Sequence, residues 1–345
     1  MTQKILLGTY TKRESKGVYS IELDPESKTL DSLKEEITSV GSPTYIGGNN
    51  DYSLLFAVSK TEDGQGGIAS FRRGDLGNYI ALDTYLEEGA PPCYVAYDNQ
   101  KELVYAANYH KGEVSVYSVD DEGVLELLDK VAHSGSSVHE NQDSPHAHYF
   151  DLSPDRNFLI ACDLGTDEVI TYSINEEAKL DKVASLSVKP GTGPRHVVFH
   201  PNKKHAYVFG ELSSEVLTLS FDNENGTFEL LQTLPSIPED HTDFNGGAAI
   251  RLSSDGNFLY ASNRGHDSLA VFSVKEDGTL ELVEYVPTEG EIPRDFNIDP
   301  TDTFVVIGHQ DSDNLTLFER NKTDGTLTLL QKDIYAPEVV NVEFV

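Results

Sequence analysis

A chain of 345 residues with 26 Lys and Arg against 58 Asp and Glu carries a net charge of −32, which repels nucleic acid and anionic membranes and argues against either as a partner. Hydrophobic residues at 38% and charged residues at 24% fit a globular chain with a sizeable core, and no apolar run is long enough to span a bilayer as a helix. Cys93 and Cys162 sit in no CxxC or metal-ligand spacing and read as free thiols, and the opening MTQKILLGTYTK lacks the apolar stretch of a secretory leader, so the expected location is the cytoplasm.

From the N-terminus, residues 4–40 hold three extended segments, KILLGTY, GVYSIELD and TLDSLKEEI. A repeat then begins with SPTYIGGNNDYSLLFAVS at 42 and returns as PPCYVAYDNQKELVYAAN at 91, SPHAHYFDLSPDRNFLIACD at 144, GPRHVVFHPNKKHAYVFGE at 193, GGAAIRLSSDGNFLYASNR at 246 and IPRDFNIDPTDTFVVIGHQ at 292. The spacings are 49, 53, 49, 53 and 46 residues, a period too long for one hairpin and suited to a four-strand unit. Each copy has an apolar run, a polar turn such as SPDRN or SSDGN, and a second apolar run, which together make two strands and a tight connection. A third alternating run follows in most copies, as in EVSVYSVD at 113 and SLAVFSVK at 268. It leads into DEGVLELL, NENGTFELL, EDGTLELV or TDGTLTLL, where a glycine supplies the positive φ of a hairpin into a fourth strand.

The last ten residues, APEVVNVEFV, repeat the first strand of the unit, the one that residues 4–40 lack. The expected fold is therefore all-β: a seven-bladed β-propeller of four-stranded antiparallel blades, one blade closed by the N- and C-terminal strands, forming one domain over 1–345. Tandem sandwiches leave the borrowed last strand unexplained, and a β-helix rung is about half this period. The least regular strands fall at 66–86.

In such a meander the start of the first strand and the end of the second lie on one face of the ring. Starts of first strands place His146 and His148 (SPHAH), Arg195 and His196 (GPRH) and Arg294 (IPRD) there. Ends of second strands add Asn108 and His110 (ANYH), Glu211 (FGEL), Asn263 and Arg264 (SNRG), and His309 and Gln310 (GHQD). Five of the eleven His and three Arg of a strongly acidic chain thus gather at one mouth of the central channel. The long segments 132–143 and 235–246 project from the same face, as lids commonly do.

Several of these residues also have purely structural readings. His146 and His148 share one side of a strand, yet a metal site needs further ligands, and no HExxH or carboxylate cluster accompanies them, so no metal or other cofactor is expected. Arg195 and Glu211 suit a structural ion pair as well as a site, and Asn108 and Asn263 suit the capping of strand ends better than catalysis. As a constellation, Arg around a concave mouth recognises a small anion, imidazole beside Glu211 offers a base adjustable near neutral pH, and an Arg can stabilise an oxyanion. No GxSxG elbow, phosphate loop or dinucleotide fingerprint is present.

GTYT at 8–11, AANYHKGEVSVY at 106–117, SPHAH at 144–148, GPRHVVFHP at 193–201, LSSDGNFLYASNRGHDSLAVF at 252–272 and PRDFNIDP at 293–300 together resemble the bacterial 6-phosphogluconolactonases of the seven-bladed propeller type, related to fungal muconate-lactonizing enzyme. The resemblance implies hydrolysis of 6-phospho-D-glucono-1,5-lactone to 6-phosphogluconate, in the oxidative pentose phosphate pathway, with His148, Arg195, Glu211 and Arg264 as the catalytic set. The other residues that strand position places at the mouth, His146, His196, Arg294, Asn108, Asn263, His309 and Gln310, are then expected to bind substrate, with Arg294 and His196 at the phosphate. The segment GHQDSDNLTLF at 308–318 departs from the family in carrying His309 where Asn is usual before Gln. Two other functions fit the same residues: another enzyme of small anionic lactones, such as a cycloisomerase, and a non-enzymatic binding platform on the same fold. Nothing in the sequence indicates an oligomeric state.

Overall fold

Residues 2–345 are described in the computed structural model of the protein. They form seven antiparallel sheets in sequence order, and the described residues contain no helix. The innermost strands are Val339–Phe344 in blade 1, Ile46–Gly48 in blade 2, Tyr94–Asp98 in blade 3, Ala147–Leu152 in blade 4, Pro194–Phe199 in blade 5, Gly246–Leu252 in blade 6 and Pro293–Ile298 in blade 7. Blade 1 is the shared one: the C-terminal strand pairs with Gln3–Thr9, which pairs with Val18–Asp24. Its outer edge is broken into Thr29–Leu30 and Lys34–Ile37, both on Val18–Asp24. Residues 66–86 fall in the outer hairpin of blade 2, Gln65–Arg73 and Tyr79–Glu88, whose pairing shifts register between Ser70 and Phe71, as the outer pairs of blades 3–7 also do.

Each blade buries both faces of its inner three strands against its neighbours, so those strands are near-continuously buried, as in Leu103–Asn108 and Phe304–His309, while the fourth is half-exposed, as in Leu180–Ser187. Tyr105, Tyr207 and Tyr260, at equivalent places in second strands, are fully buried. The hydroxyls of Tyr207 and Tyr260 donate to the carbonyls of Gly278 and Gly325, in the hairpins of the next blade, at 2.9 and 2.8 Å. Gly325 has φ +78, and a Cβ there would lie 2.2 Å from Phe258 Cδ1, so the turn admits only glycine where blades 6 and 7 meet.

Five blades share one irregularity that positions the site. The first strand of each carries a bulge near its start, and the residue left out of the pairing is Val340 in blade 1, His148 in blade 4, Arg195 in blade 5 and Arg294 in blade 7; blade 6 skips around Ala248 and Ala249. In blades 2 and 3 the residues after Pro43 and Pro92, Thr44 and Cys93, hold the corresponding sequence position. A bulge re-aims one side chain without disturbing the strand beyond it. Here it turns Val340, His148, Arg195 and Arg294 toward the mouth, whereas Ala248 and Ala249 of blade 6 are fully buried.

Second strands supply the other half. Asn108, Asp163, Gly210, Asn263 and His309 are the last residues of those strands to pair with the third strand. The side chains of Asn108, Asp163, Asn263 and His309 tie down neighbouring loops, while the next residue in each blade, Tyr109, Leu164, Glu211, Arg264 and Gln310, points the other way by strand alternation. Asp163 is the most heavily engaged tie: Oδ1 accepts from the backbone N–H of His146, Gly165 and Thr166 at 2.8, 2.9 and 3.1 Å, and Oδ2 lies 2.5 Å from His133 Nδ1. Asp163→Ala, which removes the shared acceptor of the His146, Gly165 and Thr166 N–H groups and the contact with His133, is expected to cost about 2–4 kcal/mol of stability in urea unfolding.

Candidate active site

The bulged residues and the residues after the second strands enclose a cavity of about 290 Å³ at one mouth of the channel. His148, Glu211, Arg264 and Arg294 line it, with His110, Tyr109, Cys93, Tyr10, Lys12 and Lys60. A narrower extension of about 40 Å³ continues beneath, where Arg195, His196 and Asp295 join His148 and Arg294.

Glu211 is the electrostatic centre. Its Oε1 lies 3.0 Å from Arg264 Nη2 and its Oε2 3.1 Å from Arg195 Nε. The Arg195 contact is Coulombic rather than a directed hydrogen bond, since Nε has no aligned acceptor. Burial pushes the Glu211 carboxyl up, but Arg264, Arg195, His148 and Arg294 together outweigh it and hold the pKa at about 2. Glu211 is thus a fixed anion. Both guanidiniums are also anchored on backbone: Arg195 Nη1 donates to Ala248 O at 2.6 Å, and Arg264 donates through Nη2 to Gly247 O at 2.8 Å and through Nε to Gly246 O at 3.3 Å. Burial, then Arg264, lowers Arg195 to about 9 against the pull of Glu211, which leaves it protonated at neutral pH.

His148 is 4% exposed and lines both the cavity and its extension. Its Nδ1 is buried without a partner. Tyr109 and His196 meet its ring edge-on, at centroid distances of 5.9 and 5.1 Å. Burial, then Arg195, drives its pKa well below 6.5, with Glu211 pulling the other way. The ring is therefore neutral at physiological pH, the form that accepts a proton.

The structure divides the sequence-derived candidates. His148, Arg195, Glu211, Arg264 and Arg294 converge. Gln310 stands behind Arg294 and accepts from its Nη1 at 3.4 Å. His196 lies one residue beyond its blade's bulge and one layer deeper, 4% exposed against the rings of Tyr45, Tyr94 and Tyr149, so it does not line the wide cavity expected to hold the anion. His146 stacks on Tyr109 at 4.2 Å and places Nδ1 2.8 Å from Tyr109 O, behind the cavity wall.

Asn108, Asn263 and His309, expected at the substrate, occupy the tie position and line neither the cavity nor its extension. Asn108 donates to Ala90 O and accepts from Lys111 N. Asn263 is fully buried between Ser236 and Ser268. His309 places Nδ1 3.1 Å from Asn314 O, packs under Gly290, and is lowered by burial to about 4. His146 and His148 acquire no further ligand, and among the described residues no group of three or more His, Cys, Asp or Glu is placed to hold a metal.

Reading the mouth from sequence missed Tyr10, Lys12, Lys60 and Tyr109. The signal was present: GTYTK and FAVSK end the second strands of blades 1 and 2 as ANYH ends that of blade 3.

With this geometry in hand, the comparisons with known proteins are specific. The sequence matches the family described as lactonase, 7-bladed beta-propeller, over residues 4–344. It is 43% identical over 341 residues to a 6-phosphogluconolactonase of Bacillus subtilis, with 98% of this chain and 97% of the relative covered. A crystal structure from Lactobacillus plantarum superposes with a TM-score of 0.97 at 44% identity over the whole of both chains. A periplasmic gluconolactonase of Pseudomonas aeruginosa superposes at 0.93 with 29% identity, covering 100% of this chain and 99% of that one.

Proposed function

The chain belongs to the seven-bladed β-propeller lactonase family and is a carboxylic ester hydrolase, and on that premise we propose that its substrate is 6-phospho-D-glucono-1,5-lactone, opened to 6-phosphogluconate at the mouth of the channel. The observation that carries this reading is the His148 imidazole lining one cavity with the Glu211–Arg264 pair, while Arg195 reaches Glu211 from the extension beneath.

In the proposed reaction a water oxygen attacks the lactone carbonyl carbon and His148 takes its proton. The carbonyl oxygen becomes an oxyanion, which Arg264, with Arg195 from beneath, is placed to stabilise; both are held by backbone carbonyls and need no reorganisation. Glu211 favours the imidazolium as it forms. Collapse of the tetrahedral intermediate breaks the bond from carbonyl carbon to ring oxygen, and the imidazolium returns the proton to the departing alkoxide. The product is an open-chain acid that ionises in solution. Water, ester bond and proton balance without an added reactant.

The direct test is hydrolysis above the spontaneous rate, with the lactone generated in situ, product coupled to a dehydrogenase, and chelator present or absent. Catalysis on the phosphorylated lactone supports the reading. Activity confined to ring closure of an unsaturated diacid would instead assign a cycloisomerase.

A pH dependence follows from the His148 environment. The base works only as the neutral ring, and burial with Arg195 moves its protonation below 6.5, so kcat/KM corrected for spontaneous hydrolysis should be level above that pH and fall only below it. An acid limb centred above 6.5 would exclude His148 as the base.

A further inference from the structure

Glu211, Arg264, Arg195 and His148 belong to blades 4, 5 and 6, whereas the opposite wall of the same cavity comes from blades 7, 1 and 2 and carries Arg294, Lys12 and Lys60. In a chain of net charge −32, where Lys16, Lys28 and Lys130 each hold a carboxylate, these three cations pair with none among the described residues. Two of them rest instead on one aromatic ring: Lys12 Nζ lies 3.8 Å and Arg294 Cζ 5.8 Å from the centroid of Tyr10. A π-face steadies a cation without neutralising it.

The backbone beneath both lysines is fixed. The buried Glu338 carboxylate accepts from the N–H groups of Lys12, Arg13 and Ser15 at 3.0, 2.9 and 3.1 Å. Lys60 N donates to Gly41 O at 2.8 Å, and a Cβ on Gly41 would lie only 2.2 Å from Lys60 O, so that contact requires glycine. Two exposed ammonium groups on pinned backbone, beside one guanidinium, suit a terminal phosphate dianion.

We infer that Lys12 and Lys60, with Arg294, form a phosphomonoester subsite that selects phosphorylated over unphosphorylated sugar lactones. This inference rests on the lactone reading above and deepens it. The lactone carbonyl faces blades 4–6 while the phosphate, at the far end of the six-carbon chain, faces blades 7, 1 and 2. It also moves the phosphate contact from His196, which is buried beneath, to the two lysines.

The test uses Lys12→Gln, Lys60→Gln and the double variant, with calorimetric binding of 6-phosphogluconate and of gluconate, and kcat/KM on the phosphorylated and plain gluconolactones. Affinity for 6-phosphogluconate should fall about 10-fold per lysine and about 100-fold in the double variant. The kcat/KM for the phosphorylated lactone should fall in parallel, through KM. Values for gluconate and plain gluconolactone should change by less than about threefold, and Lys→Arg should restore most of the loss. Equal losses on both members of a pair, no loss on the phosphorylated one, or wild type binding both acids equally would overturn the subsite. Lysine-dependent binding of 6-phosphogluconate by a wild type that does not hydrolyse its lactone would keep the subsite and remove the substrate reading. Lysine-independent hydrolysis of that lactone would do the reverse.

Discussion

Replacing His148 by Ala is expected to lower kcat on 6-phosphogluconolactone by ~100-fold or more while leaving KM little changed. The expectation separates base from binder. On the proposed reading substrate is held by Arg294 and the cationic wall, none of which contacts His148 through a hydrogen bond, so truncation of the ring would remove the proton acceptor and leave the anion site in place. Folding should survive, because Nδ1 is already without a partner and no protein group loses a side-chain bond when the ring is removed. A rate within a few-fold of wild type, measured above spontaneous hydrolysis in a sample with unchanged circular dichroism, would transfer the base role elsewhere. His110 is the remaining imidazole on the cavity wall and would be the next residue to test.

The repeat made the architecture legible before any coordinates. A fifty-residue period with one strand missing at the start and supplied at the end has few solutions, and the closed ring of blade 1 is one of them. The mouth was legible as a region, since every residue brought together there comes from the start of a first strand or the end of a second. Which of two adjacent residues faces the cavity was not legible. That choice is set by strand alternation measured from the last paired residue, so Asn263 became a tie and Arg264 a cavity residue although SNRG offers both. Bulges add a second uncertainty: Arg195 is unpaired and re-aimed, while His196 resumes the pairing and sinks into the layer of Tyr45, Tyr94 and Tyr149. No local signal distinguishes a bulged GPRH from a regular one. Lys12 and Lys60 obeyed the second-strand rule, and the charge arithmetic of an acidic chain made unpaired cations informative.

Glu211→Gln should produce the other large effect, in stability and in chemistry together. The substitution preserves shape and the backbone ties from Glu211 N to Gly193 O and from Gly247 N to Glu211 O, at 2.8 and 2.9 Å. It removes the only carboxylate among the described residues that meets Arg195 and Arg264. Two guanidiniums, with side chains 5% and 11% exposed, would then face one another without a counter-charge. Removing one member of a buried ionic cluster costs about 3–5 kcal/mol, so a marked drop in the urea midpoint is expected. Catalysis should fall ~100-fold, because the oxyanion donors lose the anion that positions them and the imidazolium loses its neighbouring charge. The pH profile tells these causes apart. Since Glu211 raises the His148 pKa, its removal lowers that pKa further, and the acid limb of kcat/KM should move to lower pH than in wild type. A destabilised protein with an unmoved acid limb would make Glu211 a structural counter-ion alone. A displaced limb, in protein still folded at the assay temperature, would place its charge within reach of the proton transfer.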